Sequence, residues 1–393
     1  MKTAIYGNFL MILIPAEFTP QKVRRKLRSD GITSTAVTAA DLFVRKRVGH
    51  RLLNPLVERG IIRVLPRHEL KNRAKKTLNV GDGAKSEPSV FVSAIETGYL
   101  LGETGLAMTS GFEVILESAD TPDHARQALM AMCSRELFFG RLPFQGLIRK
   151  TPPKDLPVLD TVAPLIPRYP TNYYHWMVET APKIRYLRMF EQQTGTDVTV
   201  LVPNNAPPFV KETLTHLGWP VEQVTFATEP IYEVQNLILS PYPERSRTEL
   251  NWLRETILNS VLNERRMADS DSRIYVSRSN AISRRVVNEN QVMEVLKPYG
   301  FERYHLEDRS LAENVRLFNS ADMVIGPHGA GLTDIIFTED CTLVELFGAR
   351  LNKVYEKLSK TLEIEYNPMY CQSEGADIIV DTAALEEQMN TIT

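Results

Sequence analysis

The sequence holds only three cysteines, Cys133, Cys341 and Cys371, and they lie far apart. They form neither a disulfide framework nor a metal-spaced cluster, and such usage suits a reducing compartment. Net charge is also small, −2 at pH 7, so no global attraction to nucleic acid or another polyanion is expected. Long apolar runs are scarce. Near the start the longest is "FLMILIPA", from Phe9 to Ala16. It is too short to cross a bilayer, and as a signal peptide it lacks a clear small-residue cleavage site. A buried strand is the expected identity, and the cytoplasm the expected location. Internal repeats and low-complexity tracts are missing too.

The near-neutral total hides an asymmetry. Residues 22–76 carry 16 Lys/Arg against 4 Asp/Glu, a net of +12. Apolar residues recur there near helical spacing, as in "LFVRKRVGHRLLNPLVERG". Two readings stand side by side: solvated helix faces packed on the body, or a peripheral contact with an anionic membrane surface.

Chain organisation changes along the length. Residues 1–80 read as a basic helical arm. Ser86 to Ser118 alternates apolar and polar residues between glycines, the pattern of short antiparallel strands, and "DHARQALMAMCSRELFF" after it reads as a helix. Two series of strands alternating with short helices follow, split near Pro241 to Leu250. That alternation predicts an α/β fold with two Rossmann-like parallel-sheet domains. The expected limits are 81–248 for an acceptor-side domain with added strands and 249–393 for a nucleotide-binding domain.

Three stretches carry chemistry. In "VIGPHGAGLTDIIF", Val324 to Phe337, an apolar strand runs into a glycine-rich loop. Ligands of open parallel sheets sit beyond the carboxyl ends of strands. Glycines with positive φ would let the amides of His328, Gly329, Ala330 and Gly331 cradle an anion, with a helix starting behind them. In "RIYVSRSNAISRRVVNEN", Arg278, Arg284 and Arg285 follow a strand end, and guanidinium forks match phosphate oxygens. In "NYYHWMVETAPKI", an N-cap at Asn172 would open a helix and set His175 and Glu179 four residues apart on one face. Such a pair can take a proton from a hydroxyl. Tyr173, Tyr174 and Trp176 offer flat faces for sugar stacking. "DSD", Asp269 to Asp271, matches a metal-binding D-x-D spacing but precedes a strand rather than following one, so it reads as a solvated turn and no metal site is expected.

Taken in order, these three stretches resemble the signature blocks of glycosyltransferase family 61, associated with capsular polysaccharide. The resemblance spans roughly Tyr169 to Phe347. It implies an inverting glycosyltransferase of the two-domain GT-B type, with a nucleotide-diphosphate sugar (a UDP-sugar favoured) as co-substrate, no metal or other cofactor, and a glycan or lipid-linked glycan acceptor. It places the diphosphate against Arg278, the amides near His328 and Arg284 or Arg285. Glu345 would meet the ribose, with Glu313 a weaker candidate. His175 or Glu179 would be the base; the sequence does not choose. Two departures stand out: Asp334 occupies a position where Asn is common, and "VETAP" is looser than the usual leucine-proline form. The rivals are a nucleotide-sugar 2-epimerase-like enzyme, which needs no separate acceptor, and a non-catalytic polysaccharide-binding scaffold.

Overall fold

The computed structural model describes short pieces between residues 59 and 79, and then residues 91–119, 155–262 and 272–392. Most of the basic arm, Cys133, the helix expected after Ser118 and the Asp269 to Asp271 turn lie outside the described residues. The chain divides into two compact units.

The first unit comprises the described parts of Met1–Arg168, with Gln193–Asn204 and Thr225–Tyr242. One mixed sheet organises it. Its strands are β1 (Val64–Leu65), β2 (Lys76–Asn79), β3 (Phe91–Leu101), β4 (Ala107–Thr109), β5 (Val114–Ile115), β6 (Val158–Pro164), β7 (Thr199–Pro203), β8 (Val224–Ala227) and β9 (Ile231–Leu239). They run in the order β1-β5-β4-β3-β9-β6-β7-β8, with β2 also on β3. The antiparallel strands expected between Ser86 and Ser118 are present, but they belong to the same sheet. β3 pairs antiparallel with β9, and β9 pairs parallel with β6. The end of the expected helical arm is corrected as well, since β1 and β2 are strands of this sheet.

The second unit gathers Tyr169–Gln192, Asn205–Val224 and Pro243–Thr393. Its helices are α1 (Tyr173–Glu179), α2 (Lys183–Thr194), α3 (Pro208–His216), α4 (Arg247–Leu262), α5 (Glu289–Leu296), α6 (Leu311–Asn319), α7 (Val354–Leu362) and α8 (Thr382–Ile392). A five-stranded sheet lies among them: β10 (Ser272–Val276), β11 (Phe301–Tyr304), β12 (Ala321–Pro327), β13 (Thr342–Phe347) and β14 (Glu365–Tyr370). A small antiparallel ribbon, β15 (Gln372–Glu374) with β16 (Asp377–Ile379), follows. The helix His175 belongs to, expected within 81–248, thus groups by contact with the second sheet.

Every pairing in the five-stranded sheet is parallel, in the order β11-β10-β12-β13-β14. Both faces are covered, and the sequence shows it: Ile274, Tyr275, Val324, Ile325, Leu343 and Val344 are all fully buried, giving continuous apolar runs instead of alternation. On one face Tyr275, Ile325 and Val344 meet Val292 and Leu296 of α5 and Leu385 and Met389 of α8. Local signals fix the helix ends. α3 starts with Pro208 and closes at Gly218, whose φ of +68 is left-handed. α6 carries a capping box between Ser310 and Glu313. From β10 the chain passes to β11 on one side and returns to β12 on the other, so the strand order reverses between β10 and β12. That reversal opens a crevice at the carboxyl ends of the strands.

Candidate functional site

The crevice is built from the residues that follow β10, β12 and β13. Arg278 lies two residues past Val276, the end of β10. Its guanidinium rests against Gly329, just past β12: a Cβ on that glycine would stand 2.1 Å from Nη1 and 2.8 Å from Cζ. Nη2 donates to the Ser283 carbonyl at 3.3 Å, and Nε is buried without a partner. Arg284 lies close by, held in a left-handed conformation (φ 59) that costs a non-glycine residue of order 1–3 kcal/mol. Burial, and then Arg278 and Arg350, lower its pKa to about 10. Burial also lowers that of Arg278. Glu307 acts on Arg278 and Glu345 on Arg284, both favouring the charged form, yet among the described residues neither makes an ion pair with them. Three guanidinium groups therefore converge with no carboxylate bound to them, the electrostatics of an anion site.

Arg350 comes from the loop after β13 and escaped the sequence reading, because its partners are 66 to 72 residues away in the chain. Arg285 was expected in the cluster and is not part of it. It clasps Asp377 of β16 through its backbone N–H and Nε, both at 3.0 Å, and through Nη2. Val286 and Val287 meet Ile378 alongside, so Arg285 fastens the ribbon.

The glycine loop differs from expectation in three respects. None of Gly326, Gly329 and Gly331 has a left-handed φ; Gly329 is glycine because Arg278 needs its side-chain space. The amide of His328 is already committed to the Leu346 carbonyl at 3.0 Å, so it drops out of the cradle. The helix behind the loop is a 3-10 segment, Ala330–Phe337. Tyr355 of α7 donates to the Gly329 carbonyl at 2.6 Å. In a planar trans peptide the Ala330 N–H then points the opposite way. Tyr355, fully buried and within 3.1 Å of Thr333 Oγ1, was not anticipated.

Glu345 was expected at a ribose. It is fully buried, and both its oxygens are taken: Oε1 by His328 Nδ1 at 2.5 Å, Oε2 by the Tyr366 hydroxyl at 2.6 Å. It therefore orients His328, leaving Nε2 as the free ring nitrogen. Glu313 likewise accepts from the Ser310 backbone and hydroxyl at 2.8 and 2.7 Å, so its task is capping α6.

α1 delivers the second half of the site. The Asn172 side chain caps the helix by accepting the His175 N–H. His175 Nδ1 meets Glu179 Oε2 at 2.5 Å, and Arg245 Nη2 holds Glu179 Oε1 at 2.6 Å. Glu179 is buried with both oxygens engaged, whereas the His175 side chain is 23% exposed. Of the two candidates for a base, only the histidine has a free face. Arg245 was not foreseen; like Arg284 it sits at a left-handed φ.

The aromatic residues of α1 are corrected. Trp176 is completely buried, Tyr174 nearly so, and the Tyr173 hydroxyl donates to Asp334 at 2.5 Å. Trp176 and Tyr174 present no free stacking face. Tyr169, 47% exposed, has its ring 4.7 Å from that of His175. Tyr174 instead bridges: its ring touches His175 at 5.6 Å and Tyr355 at 5.7 Å, and Tyr355 touches His328 at 5.6 Å. The two histidines thus stand at the ends of one aromatic chain inside one unit.

Asp334 is buried, and burial lifts its pKa to about 7. Below that pH it carries its proton and adds no negative charge to its surroundings.

Residues 173–344 match the model of the glycosyltransferase 61 family. The match falls on the stretch in which the motifs resemble that family and covers less than half of the chain. Three curated relatives share the name EGF domain-specific O-linked N-acetylglucosamine transferase. The protein from Gallus gallus is 26% identical over 119 residues, 27% of this chain and 22% of that protein. Those from Pan troglodytes and Canis lupus familiaris are 26% and 24% identical over the same length, 23% of each. The chain thus matches less than a quarter of the length of these relatives.

Proposed function

We propose that the protein is an inverting glycosyltransferase of GT-B type that uses a nucleotide-diphosphate sugar and neutralises the leaving group without a metal ion. The observation that supports this most is the cluster of Arg278, Arg284 and Arg350, which has no carboxylate bound to it among the described residues and whose Arg278 is seated on Gly329. The acceptor hydroxyl attacks the anomeric carbon opposite the diphosphate. The new C–O bond forms as the bond to the phosphate oxygen breaks, and the hydroxyl proton passes to His175 Nε2. Glu179, fixed by Arg245, keeps the imidazole in the tautomer that can accept it. Charge growing on the departing phosphate meets guanidinium groups and the Ala330 amide already in place. They favour the transition state over the ground state because they need not reorganise. The relatives' names make UDP-N-acetylglucosamine the first donor to try, with glycans and folded protein domains as acceptors.

Two substitutions separate the two halves of the site. Arg278→Ala should weaken nucleotide binding, measured by titration calorimetry, at least tenfold, the scale of a lost charged hydrogen bond. His175→Ala should bind nucleotide as wild type does and lose about 100-fold or more in turnover, read as released nucleotide with chelator present. Normal binding and normal transfer in both variants would remove the assignment. Turnover of the sugar nucleotide with no acceptor, to an epimer, would favour the epimerase reading instead.

A further inference from the structure

Beyond the arginines, the same edge of the parallel sheet carries exposed apolar side chains. Among the described residues Ile282, Leu351 and Tyr370 are 71%, 63% and 70% exposed. Each lies in, or opens, a loop beyond β10, β13 or β14, and the first two loops also carry Arg284 and Arg350. Tyr370 differs from the other two in being held flat. Its ring stacks on Phe347 with centroids 5.8 Å apart and planes 20° apart. Phe347 stacks in turn on His328, at 5.6 Å and again 20°. His328 is fixed by Glu345, and Glu345 by Tyr366 of β14. Phe347 also gives its carbonyl to the Cys371 amide at 2.7 Å, pinning the backbone next to Tyr370. The outcome is a three-ring stack whose inner end adjoins the Gly329 loop and whose outer ring is open to solvent.

A rigid, exposed aromatic face beside a cationic cluster has the two contacts a nucleoside diphosphate requires: a flat surface for the base and fixed positive charge for the phosphates. A glycan would meet the face but has no anion for the arginines. Inorganic phosphate would meet the arginines and ignore the face. We propose that Tyr370 is the stacking platform for the nucleobase of the donor, with its ring kept in place by Phe347 and His328. The proposal rests on the donor reading above and adds where the base goes. Stacking of this kind discriminates nucleotide from bare pyrophosphate; it does not by itself choose among bases, since every base has a π-face.

The test is titration calorimetry with UDP, GDP, ADP and inorganic pyrophosphate on wild type, Tyr370→Ala, Tyr370→Phe and Arg278→Ala. Tyr370 is exposed, so its replacement should leave the fold intact. Wild type should prefer at least one nucleoside diphosphate over pyrophosphate. Tyr370→Ala should lose about 5- to 150-fold in affinity for that nucleotide, the range of one stacked base, with pyrophosphate unchanged. Tyr370→Phe should keep the preference, and Arg278→Ala should weaken all ligands alike. Equal nucleotide affinity in wild type and Tyr370→Ala, with pyrophosphate still dependent on Arg278, would overturn the platform and leave the donor reading standing. So would a Tyr370→Ala effect confined to KM for the acceptor. Failure of wild type to bind any of the four would overturn both.

Discussion

At the scale of single residues, the site is governed by what each carboxylate is already bound to. Glu345, Glu179 and Glu313 are the three that a sequence reader would offer to a substrate. Glu345 and Glu179 have both oxygens filled, by His328 and Tyr366 and by His175 and Arg245, and Glu313 has one oxygen taken twice by Ser310. Asp334 is the one whose environment opposes its charge. Its pKa stands near 7 against an ordinary 3.8. As pH rises past about 4 an unfolded chain ionises this group, while the folded chain resists until about 7. Stability therefore falls across that window and is level above it. A shift of about 3 pH units corresponds to a ceiling of roughly 4 kcal/mol. Asp334→Asn keeps an acceptor for the Tyr173 hydroxyl and removes the charge. It should raise the melting temperature at pH 8, with the gain shrinking toward zero at pH 4. A gain that is equal at both pH values would mean that the carboxyl is not held neutral.

At the scale of elements, the parallel strands and the helices between them were legible because their signals are local. Unbroken apolar runs mark β10, β12 and β13, and the structure adds Pro208 at the start of α3 and a Ser310–Glu313 capping box at α6. The arginines were legible only in part. Arg278 could be placed because it follows a strand in a βα unit, but nothing local distinguishes Arg285, which faces Asp377, from Arg284, which does not. Arg350 and Tyr355 joined the site from 70 and more residues beyond Arg278. Gly329 shows the same limit. Its loop reads as a turn rich in positive φ, yet the backbone is extended there (φ 177) and the missing side chain makes room for a guanidinium. Gly329→Ala tests that reading. The added Cβ overlaps the end of a flexible side chain, so Arg278 can swing away at little cost to the fold. Melting should change by only a few degrees, while nucleotide affinity should fall about as far as in Arg278→Ala. A large loss of stability with affinity preserved would show that the glycine serves the backbone instead.

At the scale of the whole molecule, the division into two units is less linear than the sequence suggests. The helix with His175 comes before strands of the first sheet in the chain, but it packs with the second sheet, where Tyr173 bonds Asp334 and Arg245 bonds Glu179. No local pattern encodes that grouping, because it depends on contacts across more than 60 and up to 161 residues. Its consequence is that both halves of the proposed chemistry, the base and the anion cluster, reside in one compact unit. The desolvated Arg278 and Arg284, with Arg284 further opposed by Arg278 and Arg350, also make this unit the one that gains from an anion. Ligand at 100 times its Kd stabilises the state it binds by about 2.7 kcal/mol. In hydrogen exchange that corresponds to roughly 100-fold slower opening for amides that exchange only through opening of the bound state. With saturating UDP, protection should therefore appear first in residues 277–285, 328–337 and 347–352, and in α1 only as far as it shares their opening. Residues 91–118 of the first sheet should exchange at the rate seen without ligand. Protection that begins instead in the first sheet, with the loops after β10, β12 and β13 unaffected, would move the nucleotide out of the arginine cluster and take the proposed mechanism with it.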